Sequence, residues 1–242
     1  MKKHLPTLLV IGIAITAATT RIHAADPILD IQADSGGALA DSSPQKREVR
    51  LSGGSSAVDS DMGFEINTRN KLTIPYDGND PLFSTGSLTW IMRCKFLTPE
   101  NLPSGFLFLG RYNHETDQRV AGFLLAMDPL SAPSFLISTD GTAASTFGIV
   151  GREPVPIDKW MTVAVVFDTA MSMSLFLIDD EGNVIASHVL SKNSREIPER
   201  LLNADVPFTL NAPVEVGLIV SRIRCWNEAL NLDQILQIVS KR

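Results

Sequence analysis

The chain has 242 residues, 44% of them hydrophobic, with 27 acidic side chains against 21 basic ones and a formal net charge of −6. That balance argues against nucleic acid or an anionic membrane surface as partner, since both require a basic face. Two cysteines, Cys94 and Cys225, are too few for a thiolate zinc site, and the length suits one large domain.

Met1-Lys2-Lys3-His4, an apolar run from Leu5 to Ala18, and Ile22-His23-Ala24-Ala25 have the charged, hydrophobic and small-residue zones of a secretory signal. Cleavage is expected after Ala24. The run falls short of the about 20 apolar residues that span a bilayer, so no membrane insertion is expected after cleavage. Removing residues 1–24 takes away Lys2, Lys3 and Arg21 and no acid, so −6 becomes −9 for a domain of residues 25–242. The expected location is secreted, periplasmic or at the cell surface.

After the signal, Ile28-Leu29-Asp30-Ile31 reads as an opening strand, and turn formers follow from Ser35-Gly36-Gly37 to Pro44. Lys71 to Ile74 alternates as a strand and stops at Pro75, ahead of the loop Asp77-Gly78-Asn79-Asp80-Pro81. From Ser87 to Phe96, Leu88, Trp90, Met92, Cys94 and Phe96 share one face, while Thr89, Arg93 and Lys95 share the other with one exception, Ile91. That is a half-buried antiparallel strand. Phe106 to Leu109, Gly122 to Ala126 and Ser134 to Ser138 continue in short strands, and Asp158 to Ser187 reads as a β-meander. Trp90 and Trp160 occupy apolar-facing positions and are expected in the core. Two accessory helices are predicted, Ser194 to Leu202 and Asn231 to Val239; in the second, Asn231 caps, Gln234 completes a capping box, and Leu232, Ile235, Leu236 and Val239 form one stripe. The sum is an all-β, two-sheet antiparallel sandwich with one or two short helices.

Several segments taken together resemble the LamG-like jelly-roll domains of the concanavalin A-like lectin/glucanase superfamily. Ser221-Arg222-Ile223-Arg224-Cys225-Trp226-Asn227-Glu228-Ala229-Leu230 is similar to the family's final strand, and Lys159-Trp160 with the strand ending at Asp168 to its Trp-x-x-Val-Ala-x-x-x-Asp. Asp179-Asp180-Glu181-Gly182-Asn183 stands in place of its Asp-Gly hairpin, and Ala40-Asp41-Ser42-Ser43 resembles its Ala-Asp-Ser-Ser turn. The resemblance spans about Ile28 to Val239 and implies one jelly roll.

The family's calcium sites imply Asp41 and Asp168 as metal ligands, with Asp77, Asn79 and Asp80 as a separate oxygen-rich loop, so calcium is the candidate cofactor. Phe64-Glu65-Ile66-Asn67-Thr68-Arg69-Asn70 departs from the family's acidic turn, and an Asp in a turn more often bonds its own backbone. Read from the residues, Cys94 and Cys225 are either bridged or two buried thiols; in the family the first long strand and the last can be neighbours, which implies a bridge. Sugars stack on aromatics and bond to polar side chains, making Tyr76, Tyr112, Asn113 and Trp226 the carbohydrate candidates, although Trp226 also fits as a packing group.

Glucanases on the same superfold use paired carboxylates. The nearest match, Glu115-Thr116-Asp117-Gln118-Arg119, lacks the third acid of their motif and reads as a solvated cluster; His114 and His188 have no nucleophile motif beside them. No catalytic residue is therefore assigned. The expectation is an exported non-catalytic domain that binds a carbohydrate. The alternatives are a structural or adhesive module whose partner is an extracellular protein and, less favoured, a glycoside hydrolase.

Overall fold

The computed structural model describes residues 24–33, 39–53, 63–66, 70–97, 106–113, 116–125, 132–170, 172–191, 197–211 and 217–241. The signal expected over residues 1–24 lies outside them apart from Ala24, as do Ser35-Gly36-Gly37, His114 and Glu115.

The described residues form fifteen strands and one α-helix. In chain order these are β1 (Leu29–Ala33), β2 (Leu39–Asp41), β3 (Arg50–Ser52), β4 (Phe64–Ile66), β5 (Lys71–Ile74), β6 (Leu88–Phe96), β7 (Phe106–Asn113), β8 (Gln118–Leu125), β9 (Pro133–Ser138) and β10 (Thr146–Val150). Then come β11 (Trp160–Asp168), β12 (Ser172–Asp179), β13 (Val184–Ser191), β14 (Phe208–Asn211), β15 (Leu218–Trp226) and helix α1 (Leu232–Ser240). One sheet runs β13-β12-β11-β6-β15-β1-β2, with β4 also paired to β15; the other runs β10-β9-β8-β7-β14-β5-β3. The strand pairs within each sheet are antiparallel. The all-β sandwich expected from alternation is present.

The expected meander is β11, β12 and β13. Its second turn closes through Gly182 at φ 89°, a conformation that glycine adopts without the Cβ clash other residues meet, while Asp179 accepts from the Asn183 backbone at 2.7 Å. Period-two burial holds the two sheets together. Trp90, Met92, Cys94 and Phe96 of β6 and Val163, Val165 and Phe167 of β11 meet Leu72, Phe135, Phe208 and Leu210 of the facing sheet in one buried cluster. Trp90 is the hinge pin of that packing, with Phe208 edge-on at 5.5 Å and Phe135 at 6.3 Å.

A second apolar cluster lies on the outside of the β6-β11-β15 sheet. Ile91, Ala164, Val166, Phe176, Ile178 and Trp226 are buried there together with Leu230, Ile235 and Val239. Helix α1 covers this patch, and its start is fixed by the expected capping box: Asn231 accepts from the Gln234 backbone at 3.0 Å, and Gln234 accepts from the Asn231 backbone at 2.9 Å. Ile91, the exception to alternation in its strand, is thus apolar because the helix sits on it.

Three expectations are corrected. The part of Ser194–Leu202 that is described, 197–202, is not helical; Pro198 would fall inside that helix and remove a donor, and Ile197 and Leu201 instead anchor an irregular segment in the core. Trp160 is half-buried on the outer face, with the Arg93 guanidinium 4.3 Å above its ring. Cys94 and Cys225 are free and fully buried. Their strands β6 and β15 are neighbours as the resemblance implied, but Cys94 stands opposite Val220 while Cys225 stands opposite Trp90. Four residues of offset is about 13 Å along a strand, far beyond the roughly 7 Å Cα separation that a disulfide can span. Burial pushes both thiols well above their ordinary pKa.

Candidate functional site

The rim around β2 collects two of the predicted metal ligands, and it collects them around an arginine. Arg47 lays its guanidinium on the Asp80 carboxylate through two bonds of 2.5 Å, reaches Asp41 at 3.3 Å and donates to the Ile28 carbonyl. Asp41 also accepts from the backbone amides of Asp30, Ser43 and Arg47, each at 3.0 Å. Burial opposes its charge, but these amides outweigh burial and hold the carboxyl below its ordinary value. Burial likewise opposes the charge on Arg47, and its bonds to Asp80 and Asp41 raise it nonetheless.

This arrangement does not fit calcium as the resemblance implied. Both oxygens of Asp41 and of Asp80 already accept hydrogen bonds, and an ion would have to displace the guanidinium that neutralises them. Asp77 and Asn79 are exposed and bonded to each other within their turn, the Asn79 amide donating to Asp77 at 2.9 Å. Asp168 is elsewhere: it caps the β11–β12 turn through the Ala170 amide, four strand positions or about 19 Å from β2.

The aromatic candidates are dispersed. Tyr76 packs edge-on against Phe83 at 5.1 Å, and Tyr112 donates to Asp117 at 2.8 Å with Arg119 stacked 5.3 Å from its ring. Asn113 accepts from the Thr116 amide at 3.4 Å in the same hairpin. Trp226 is 3% exposed beneath α1 and donates to the Ala25 carbonyl at 2.8 Å. It has no free ring face for a sugar, so among its two readings packing is the one seen.

A concavity lies where sequence reasoning assigned no site, on the outer sheet face beside the C-terminal end of α1. It holds about 350 Å³ and is lined by Arg93, Arg222, Arg224 and Lys241 above a floor that includes Ile91, Thr162 and Val239. Its geometry comes from a bulge. Leu218 and Val220 face the core at even positions, but the register shifts between Val220 and Arg222, after which Ile223 and Cys225 face inward. The extra residue, Ser221, therefore turns Arg222 and Arg224 outward, where an unbroken strand would drive them into the sandwich.

Each arginine is then held differently. Arg93 donates to Asp180 at 2.9 Å and to Ser221 at 3.1 Å; Arg222 grips Asp30 in a fork of 2.7 and 2.5 Å. Arg224 donates to the Ile238 carbonyl of α1 at 3.4 Å and lies 6.0 Å from the Trp226 ring. Burial, and then Arg222, depress its pKa to about 10. The sequence signal for this groove was the alternation Arg222-Ile223-Arg224, visible only as part of a closing strand.

No protein-family model and no curated protein matches the sequence. Solved structures do match the fold. A structure of botulinum neurotoxin type C described as "Cell entry of botulinum neurotoxin type C is dependent upon interaction with two ganglioside molecules" is 15% identical with a TM-score of 0.65, covering 89% of this chain and 51% of that one. The binding domain of botulinum neurotoxin DC in complex with SialylT is 13% identical with a TM-score of 0.65, covering 89% and 51%. The same domain in complex with rat synaptotagmin II is 15% identical with a TM-score of 0.63, covering 89% and 51%. At such identities the likeness establishes a shared β-sandwich jelly roll. The chain spans about half the length of the solved structures it matches.

Proposed function

We propose that the protein is an exported, non-catalytic recognition domain of LamG-like type whose ligand is a carbohydrate, bound in the groove beside α1. The observation that carries this reading is the groove itself: a concavity of about 350 Å³ that sets forked guanidinium donors beside an apolar floor. A saccharide presents the same pair of surfaces, hydroxyl rims and C–H faces, and the volume lies in the range of small-ligand sites. The neurotoxin structures with a ganglioside or a sialylated ligand add support by analogy of fold. Export is supported by the charged, apolar and small-residue zones of residues 1–25. As for catalysis, Asp117, the described acid of the glucanase-like segment, is engaged by Tyr112 and Arg119 on an exposed hairpin.

A glycan array probed with residues 25–242 tests the reading, followed by calorimetric titration of every positive glycan. Saturable binding is expected. Silence across neutral and acidic glycans would overturn it and favour the adhesive alternative, in which a protein segment adds to the edge strand β13, where Val184, Ile185 and Val189 are 36, 41 and 64% exposed.

A further inference from the structure

The groove's charge singles out one class of saccharide. In register, Arg93 stands directly opposite Arg222, and Arg224 follows two residues on. Like charges facing each other across a strand pair destabilise a sheet, so a fold that places three guanidiniums on one patch has to neutralise them or carry the cost. Asp180 answers Arg93 and Asp30 answers Arg222. Among the described residues no carboxylate forms an ion pair with Arg224 or Lys241, both of which line the groove, and Asp30, already gripped by Arg222, acts on Arg224 only from a distance. The carbonyl end of α1 offers Arg224 a fraction of a negative charge at most. Four cations against two anions leave a surplus of two positive charges, in a chain whose formal net charge is −6.

We infer that the groove is built for a saccharide carrying an isolated carboxylate, as uronic and sialic acids do, with that carboxylate seated on the Arg224 guanidinium. The inference rests on the carbohydrate reading above and adds the ligand's charge to it. A planar guanidinium matches a carboxylate with two parallel bonds, which a hydroxyl cannot provide. The acidity of the chain as a whole sets the upper limit: it repels densely charged polyanions, so a sparsely charged glycan is the ligand that both the groove and its surroundings accept.

The test is calorimetric titration of residues 25–242 with sialyllactose against lactose, with a glucuronate-ended tetrasaccharide against its glucose-ended counterpart, and with inorganic sulfate. Each acidic sugar is expected to bind at least about tenfold more tightly than its neutral partner, with sulfate far weaker than either acidic sugar. Arg224→Met is expected to erase that preference, whereas Arg50→Ala, at an exposed pair with Glu48 outside the groove, leaves it intact. Should the Met variant fail to fold, Arg224→Lys keeps the charge without the fork and is expected to lose at least about threefold. Equal affinity for acidic and neutral sugars, or an acidic preference that survives both Arg224 variants, overturns this inference and leaves the carbohydrate reading standing. Sulfate binding as tight as the sugars also overturns it, as an anion site without saccharide recognition. Binding of none of the sugars overturns both.

Discussion

The protein builds two arginine centres on the same sheet, and they are solved in opposite ways. At the rim, Arg47 sits between Asp41 and Asp80 and also meets the Ile28 carbonyl, so that charge is balanced and three separate segments are tied to one side chain. On the outer face, Arg93, Arg222, Arg224 and Lys241 share two carboxylates. The two centres touch through β1: Asp41 holds the Asp30 amide, and Asp30 holds Arg222. Balanced charge there secures the frame from which unbalanced charge is presented. A fully paired arginine is a fastener, and a surplus one is a reason to look for a ligand.

The largest expected effect tests the first half of that contrast. Arg47→Ala leaves the fully buried Asp41 side chain and the 15% exposed Asp80 side chain without their cation. Breaking a buried pair from one side costs about 3–5 kcal/mol, which urea unfolding would register as a lower midpoint at unchanged slope. The acid limb of the stability curve reports on the same centre. The folded-state pKa of Asp41 is lowered from 3.8, so its contribution is complete above that value and disappears as pH falls through the lower folded one. Asp41→Asn is expected to flatten this limb below about pH 4; an acid limb identical in both proteins would mean that Asp41 is not held by its amides.

The sandwich was legible in sequence because its signals are local. Alternation from Leu88 to Phe96 gave the inward face, and Asn231 with Gln234 gave the start of α1. Even the exception at Ile91 was visible, although its cause lay in a helix about 140 residues further on. The two arginine centres were not legible, for different reasons. Asp41 and Asp80 were picked out as carboxylates, but nothing local says that Arg47 fills the space between them. The groove depends on a bulge at Ser221 and on the pairing of β15 with β6, both set by long-range register. The same register defeats the Cys94–Cys225 bridge, since neighbouring strands do not place their cysteines side by side.

A smaller effect of opposite sign sharpens the contrast. The pKa of Arg224 is lowered from 12.5 to about 10, first by burial and then by Arg222, with Asp30 acting weakly the other way. A lowered folded-state pKa in a cation means that folding disfavours its charge at every pH below about 10, so at neutral pH the charge is a cost. Arg224→Met keeps most of the apolar stem and removes that cost. The unliganded variant is expected to be more stable by about 1 kcal/mol, a rise of about 2–4 °C in Tm by scanning calorimetry. Removing a guanidinium would thus weaken the protein at Arg47 and strengthen it at Arg224. Destabilisation of similar size at both would collapse the distinction between fastener and presented charge.

The smallest expected effect is a null, and it bears on the rim alone. Calcium stabilises a folded protein only in proportion to what it binds there. Asp41 and Asp80 are occupied by Arg47, Asp77 is taken by its own turn, and Asp168 stands about four strand spacings away, roughly 19 Å. The protein is therefore expected to melt at the same temperature in millimolar calcium and in chelator. The informative partner is Arg47→Ala, where the two carboxylates that converge on the guanidinium are released and calcium is expected to restore part of the lost Tm. A calcium-dependent rise in the unmodified protein would show that an ion competes successfully with Arg47, and the rim would then be a metal site with an internal lid instead of a closed ion pair.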